Sequence, residues 1–328
     1  MKIPLTYLLS TTISAIKKFG YTDQEAAVIC DVLMYAQLRG NNQGVVKLIG
    51  SAKGLQKDDT QKPVTIVKDT PVSQLLDGGM QFGMLVMKQA VDTAIEKAQK
   101  VGIGIVGIKN TASSTGAIGY YAREIANKNL IGFIFAGSPP TVNPHGSFEA
   151  KFGTNPLAFG VPTTKEPMVF DMATAAMAFF GLVEAATAGR QIPGDVAFDA
   201  EGNLTTDPNK AMDGAIQPFD RNYKGYGLSL LVEILTGPLV QASYVGIKAE
   251  QGWGNMILVI DPNILTDTDT FKKEMTELLE NVKTAKTLPG KEVLIPGERG
   301  DAIWKQIQES GEVEIEEKLW EKLQQVAE

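Results

Sequence analysis

Apolar residues fall at positions 28, 29, 32, 33 and 36, a spacing that places them on one side of a helix. The stretch "YTDQEAAVICDVLMYAQLRG" opens on Thr22 with Glu25 three residues later, a capping box, and stops at Gly40. The pattern predicts helices over 5–19 and 22–40, and residues 45–54 are compatible with a third. Downstream the period changes. "PVTIVKDTPVSQLLDGG" reads as a short strand before a Gly-Gly turn, and "VGIGIVGIKN", "LIGFIFAGS", "PMVFDMAT" and "NMILVIDP" read as further strands, with "NPLAFGVP" among them. Helical patterns over 82–100, 116–128, 173–188 and 226–241 alternate with these runs. "FDAEGNLTTDPNKAMDG" is polar and carries turn signals, so a surface loop with a hairpin is expected there. From 269 the chain is charged and helical, broken by "LPGKEVLIPGERG". This alternation, without internal repeats, predicts an α/β or α+β protein with helices at both ends.

Composition narrows the function classes. The 328 residues are 44% hydrophobic and 21% charged, ordinary for a globular protein with a large core. A net charge of -7 and a pI near 5.0 argue against nucleic acid and anionic membranes as partners. Cys30 is the single cysteine and His145 the single histidine, so neither a disulfide framework nor a zinc site is expected, and a reducing cytoplasm fits. No apolar run approaches the roughly 18 residues of a membrane span, and the N-terminus lacks the marks of a signal peptide.

The common catalytic signatures are missing. "GIGIVG" at 102–107 lies inside an apolar strand, not in the turn after one, so strand packing explains it better than a phosphate cradle. There is no Walker A sequence, no G-x-S-x-G and no H-E-x-x-H, and no serine is visibly paired with His145. Loop segments rich in Gly, Pro and small polar residues remain, each at a predicted strand or helix end, where ligands meet backbone. Asp171, in "VFDMATAAMA", could orient a base or a cofactor amide, or could merely cap helix 173–188. Lys224, in "YKGYG", suits a phosphate but could equally be a solvated lysine at a helix start. The turn "QLRGNNQGVVKL" (37–48) places amides and two cations together, as if to hold a small anion.

In combination "GTNPLAFGVP", "DMAT", "GNLTTDP", "YKGYGL" and "LIPGERG" resemble, in order and spacing, the malate/L-lactate dehydrogenase family of nicotinamide-dependent oxidoreductases without a Rossmann fold. That family includes ureidoglycolate and sulfolactate dehydrogenases and piperideine-2-carboxylate reductases. The resemblance implies a non-Rossmann central mixed sheet over 71–225 carrying the cofactor site. It also implies a helical part over 1–70, completed by 226–328, and a homodimer with its active site near the interface. NAD or NADP would be held by Phe170, Asp171, Met172, Ala173 and Thr174, by Lys224 and Gly225, and by Gly297, Glu298 and Arg299. Ser138 would touch the nicotinamide side, and Asp171 would be the catalytic carboxylate.

The same resemblance exposes departures. The family's acid histidine position reads Gln43, its carboxylate-holding arginine reads Lys47, its second histidine falls on Ser114, and a usual lysine is Gly181. Hydride transfer to a ketone needs a proton, whose positioned delivery is worth about 10²–10⁴-fold, and glutamine cannot supply it. A cyclic iminium arrives already protonated. Lys47 could pair with a substrate carboxylate or, if desolvated, act as the acid. Two readings follow: a reductase of a small 2-oxo or cyclic 2-imino acid, or a catalytically silent relative that binds a nucleotide or metabolite.

Overall fold

The computed structural model describes residues 1–50, 56–57, 60–112, 114–248 and 252–328. The first helical patterns become α1 (Leu5–Lys18) and α2 (Asp23–Gln37), after a short strand β1 (Lys2–Pro4). The capping box forms: the Thr22 hydroxyl accepts the Glu25 N–H at 3.3 Å, and Glu25 accepts the Thr22 N–H at 2.8 Å. A short α3 (Val46–Gly50) follows, and positions 51–54 of the expected third helix lie outside the described residues. The segment read as one strand is a hairpin of β2 (Thr65–Asp69) and β3 (Ser73–Asp77). Thr70 turns the chain there, its N–H donating to the Ser73 carbonyl and its hydroxyl accepting the Ser73 N–H.

The remaining sheet strands are β4 (Ile103–Thr111), β5 (Ile131–Ala136), β6 (Leu157–Val161) and β7 (Met168–Met172), with β10 (Trp253–Ile260) far along the chain. α4 (Gly83–Val101) precedes β4, and α5 (Gly119–Ala126) separates β4 from β5. The sheet order is β2-β3-β4-β10-β5-β6-β7, and only the β3–β4 pair is parallel. It is therefore a mixed, mostly antiparallel sheet, unlike the parallel doubly wound arrangement. Its strands come from both segments of the expected division, since 65–69 lies within 1–70 and 253–260 within 226–328.

Two helix boundaries differ from the pattern. The helix expected over 173–188 begins only at α6 (Phe179–Thr187), with Ala178 as N-cap. Residues 173–178 run extended because Thr174 N–H donates to Thr154, Ala176 N–H donates to Gln217, and Ala175 bridges Pro218. Asp171 is thus a β7 residue and no helix cap. The helix expected over 226–241 is α8 (Tyr223–Thr236). Between them the expected hairpin region holds β8 (Ala197–Phe198), paired with β9 (Ala215–Ile216), and a short α7 (Pro208–Asp213) that starts on the Asp207 side chain. The C-terminal part carries α9 (Thr268–Lys283), α10 (Glu298–Ser310), β11 (Glu312–Glu314), which pairs with β1, and α11 (Glu317–Ala327).

Glycines set how closely the layers approach. Gly104 and Gly107 in "GIGIVG" are three residues apart, hence on opposite faces of β4. A Cβ on Gly104 would come 2.0 Å from the Ala94 carbonyl oxygen of α4, and one on Gly107 would come 2.8 Å from Val240. Gly160 of β6 does the same for α5, 2.2 Å from the Ala122 carbonyl oxygen. These glycines are packing sites, which is why the motif cradles nothing. Gly104→Ala should destabilise the fold by about 1–3 kcal/mol in denaturant titration, because helix backbone must retreat. Gly194→Ala, whose nearest neighbour is Thr206 at 3.5 Å, should stay within about 0.5 kcal/mol.

Candidate active site

The turn after α2 is fixed by its own amides. Asn41 Oδ1 accepts the Gln43 N–H at 2.9 Å, and Gln43 Nε2 donates to Asn42 Oδ1 at 3.3 Å. Gln37 Oε1 accepts the Val45 N–H at 3.1 Å and occupies the space that a side chain on Gly44 would need. The chain then enters α3 with Lys47 pointing inward, only 3% exposed. Its Nζ donates to Ser114 Oγ at 2.6 Å and lies 3.9 Å from the centre of the Phe180 ring. Among the described residues no carboxylate pairs with it. Burial pushes the Lys47 ammonium down to about 7.

Asp171 sits in β7 opposite Ala158, partly covered at the wall of a cavity. Its Oδ2 accepts the Gly119 N–H at 2.8 Å, at the start of α5. Gly119 leaves room for this contact: a Cβ there would lie 3.0 Å from Asp171 and 3.2 Å from the Tyr35 hydroxyl. Burial pushes the Asp171 carboxyl up to about 6, and the Gly119 hydrogen bond pulls the other way. One loop therefore serves both groups, Ser114 reaching Lys47 and Gly119 reaching Asp171.

The other cation of the turn is not free for an anion. Arg39 Nε donates to Asp301 Oδ1 at 3.1 Å, and its guanidinium lies 4.2 Å from the Tyr35 ring centre. Arg123 of α5 binds the other oxygen of Asp301 and reaches Glu166 at 3.1 Å. Asp301 thus ties the turn after α2 to α5 and α10. Sequence reasoning missed Tyr35, Arg123 and Asp301, although Asp301 ends the segment "LIPGERGD".

A cavity of about 1020 Å³ opens beside this network, lined by Tyr35, Asn42, Phe170, Asp171, Gly297 and Arg299 among others. The expected cofactor residues divide around it. Phe170, Asp171, Gly297 and Arg299 line the cavity. Glu298 is instead occupied locally, accepting the Ile295 N–H of the preceding loop at 3.0 Å and pairing with Lys283. Thr174 is buried, its hydroxyl within 3.1 Å of the Thr154 and Asn155 carbonyls and 2.8 Å from Ser229 of α8. Ser138 lies 3.3 Å from the Thr154 hydroxyl. Gly225 N–H donates to Asp220, and Lys224 is exposed in the first turn of α8. Met172 and Ala173 occupy the half-buried end of β7 and the extended segment after it. His145 is exposed on its loop, lining a separate cavity of about 350 Å³ with Phe148 and Arg221.

A dinucleotide fits what is present. The volume is that of a large ligand pocket. Gly297, at φ +93°, begins α10 with a bare backbone 3.0 Å from the Val169 carbonyl at its would-be Cβ, a gap that any side chain would fill. Arg299, in the first turn of α10, makes no ion pair among the described residues and lines the cavity, where it would suit a phosphate.

Comparison with known proteins identifies the family. A family profile described as "Malate/L-lactate dehydrogenase" matches residues 3–324. The malate/(S)-sulfolactate dehydrogenase of Methanothermus fervidus is 34% identical over 329 residues, 97% of this chain and 95% of that protein. An NAD(+)-named ureidoglycolate dehydrogenase of Escherichia coli O157:H7 is 31% identical, covering 93% of this chain and 89% of its own. The crystal structure of a dehydrogenase from Sinorhizobium meliloti superimposes with a TM-score of 0.91 at 27% identity, over 100% of this chain and 98% of that one. With a profile match along nearly its whole length and the same non-Rossmann sheet, the chain belongs to the malate/L-lactate dehydrogenase family.

Proposed function

We propose that this chain is an NAD(P)H-dependent oxidoreductase that reduces a small 2-oxo acid or cyclic 2-imino acid, and in reverse oxidises a 2-hydroxy acid. The observation that carries the reading is the convergence of Asp171, Gly297 and Arg299 in one cavity that Val46 and Ile49 of α3 also line. Arg299 and the first turn of α10 would hold phosphate, and Asp171, ionised at neutral pH, would orient the reacting partners. The cofactor, when bound, supplies the hydride. Gln43, bonded to Asn41 and Asn42, shapes the turn that leads into α3. Met172, Ala173 and Thr174 follow Asp171 along the chain, and they, Ser138, Lys224 and Gly225 are not among the residues lining the cavity.

A silent relative is disfavoured by the same residues. Burying Asp171 and Lys47 without counter-ions costs stability, and such groups cluster where chemistry needs them. Cys30 offers no alternative chemistry, since burial pushes its thiol up to about 12. No helix is long and apolar enough to cross a membrane. We place the chain in the cytoplasm on its single, buried cysteine. We also propose a homodimer: α8 turns Tyr223, Leu230, Leu231 and Ile234 outward at 60, 38, 44 and 48% exposure, an apolar face suited to a second copy.

Three outcomes test this reading. Quenching of tryptophan fluorescence should show NADH or NADPH binding well below millimolar, and no binding of either refutes the reductase. Asp171→Asn should abolish turnover yet raise stability above pH 6. The sign follows from the raised carboxyl: the unfolded state loses its proton near 3.8, the folded state only near 6, so wild-type stability falls across that window. The gain in the variant should be on the order of 2 kcal/mol at pH 7 and vanish below pH 4 in denaturant titrations. Leu231→Glu with Ile234→Lys should convert a dimer to a monomer in light scattering, and an unchanged mass would remove α8 from the interface.

A further inference from the structure

Away from the cavity, segments distant in sequence meet at one buried carboxylate. Glu233, in the second half of α8, is 7% exposed, and no cation pairs with it among the described residues. Both of its oxygens are engaged as acceptors. Oε2 takes a hydrogen of the Asn155 amide at 2.7 Å, and Oε1 takes the Val245 N–H at 2.8 Å. Two acceptor oxygens are what an ionised carboxylate offers and an amide does not. Burial pushes the Glu233 carboxyl up, and the Asn155 and Val245 hydrogen bonds pull it down. Asn155 is fully buried and gives the other hydrogen of its amide to the Ser229 carbonyl at 3.1 Å. Its backbone, at φ +38°, is left-handed, as is that of β-branched Val245 at φ +43°. Such conformations persist where surrounding bonds hold them, and Glu233 supplies one to each residue.

The Asn155 carbonyl passes this hold to the strand that bears Asp171. It accepts the Thr174 hydroxyl at 3.0 Å, the Thr174 N–H donates to the Thr154 carbonyl at 2.9 Å, and Ser229 donates to the Thr174 hydroxyl at 2.8 Å. These bonds continue the β6–β7 pairing past its last rung, Leu157 opposite Met172, and Asp171 occupies the rung before it. On its other edge the segment is bonded elsewhere, Ala176 N–H to Gln217 and Phe219 N–H to the Thr174 carbonyl. The Asn155 side therefore keeps it in register with β6. We propose that Glu233 is a positioning residue for Asp171, locking the open end of the β6–β7 pair through Asn155 so that the Asp171 carboxylate stands at the cavity wall screened from water. The proposal rests on the reductase reading above, in which Asp171 orients the reacting partners. Glu233 acts at a distance, since it is not among the residues lining the cavity. Tyr35, Arg39, Arg123 and Asp301, the titratable and charged groups that α2, its following turn, α5 and α10 present to the cavity beside Asp171, make no bond to this lock. No charged group contributes to the Glu233 shift.

The test reads Asp171 directly and turnover second. In full-length protein carrying aspartate labelled with ¹³C at Cγ, the resonance lost in Asp171→Asn should titrate near pH 6 in the wild type. Glu233→Gln keeps the shape and gives up one acceptor. With the end of β7 loosened, water reaches the carboxylate, and the resonance should move towards its ordinary value of 3.8. Asn155→Gly suits the left-handed backbone and removes the amide. It should move the resonance the same way, which guards against a folding defect peculiar to Glu233→Gln. Each variant should lower kcat for reduction of pyruvate or oxaloacetate about 100-fold, with the acid limb of its pH profile shifted down. The double variant should lose no more than either single one, because the two residues act through one bond. An Asp171 resonance that stays near pH 6 in both variants, or losses that multiply in the double variant, would overturn the positioning role. Failure of the wild type to bind NADH or NADPH removes the reductase reading instead, and the Asp171 titration still decides whether Glu233 holds that carboxylate.

Discussion

Desolvation of a lysine and an aspartate that lack counter-ions is the constraint around which this site is arranged. Moving a charge from water into protein is costly unless something else holds it, and here backbone and hydroxyl groups do so. Asp171 is fixed by strand pairing with Ala158 and by the Gly119 amide. Lys47 is fixed by Ser114 and by the face of Phe180. Neither arrangement neutralises the charge, so both groups keep titration points displaced towards neutrality. The sheet, the short α3 and the glycine at the head of α5 are what keep this geometry from relaxing.

A contrasting solution lies next to it. Arg39, Arg123 and Asp301, with Glu166, form a half-buried network of paired charges that joins the turn after α2 to α5 and α10. Breaking one partner of such a group strands the others. The network gives the cavity a stiff wall, and it shows why Arg39, which looks available in the turn, serves the scaffold.

Much of the fold was legible because it rests on local signals. The Thr22–Glu25 box, the alternation of strands and helices, and the glycines inside β4 all act over a few residues. The segment 173–178 misled because its small residues suit a helix, while long-range bonds to Thr154 and Gln217 hold it extended. The Asp301 network was invisible for the same reason, as its partners lie 262 and 178 residues apart. Gln43, Lys47 and Ser114 were identifiable only as departures from a familial pattern. That Lys47 would meet Ser114, 67 residues away, needed three dimensions. Glu298 and Thr174 carry motif positions, yet their side chains are occupied by Lys283, Ile295 and neighbouring backbone.

The place of β10 has a consequence for how the chain reaches this state. It lies between β4 and β5 and pairs with both, although about 120 residues separate it from β5 in sequence. During synthesis β3–β4 and β5–β6–β7 emerge as two half-sheets with a gap between them. Each exposes an apolar edge until residue 260 leaves the ribosome. Closing that gap is a contact of high sequence separation and therefore slow. The loop carrying Ser114 hangs from one half and Asp171 from the other, so their union waits for the last strand of this sheet, and nascent chains short of it would present two sticky edges to chaperones.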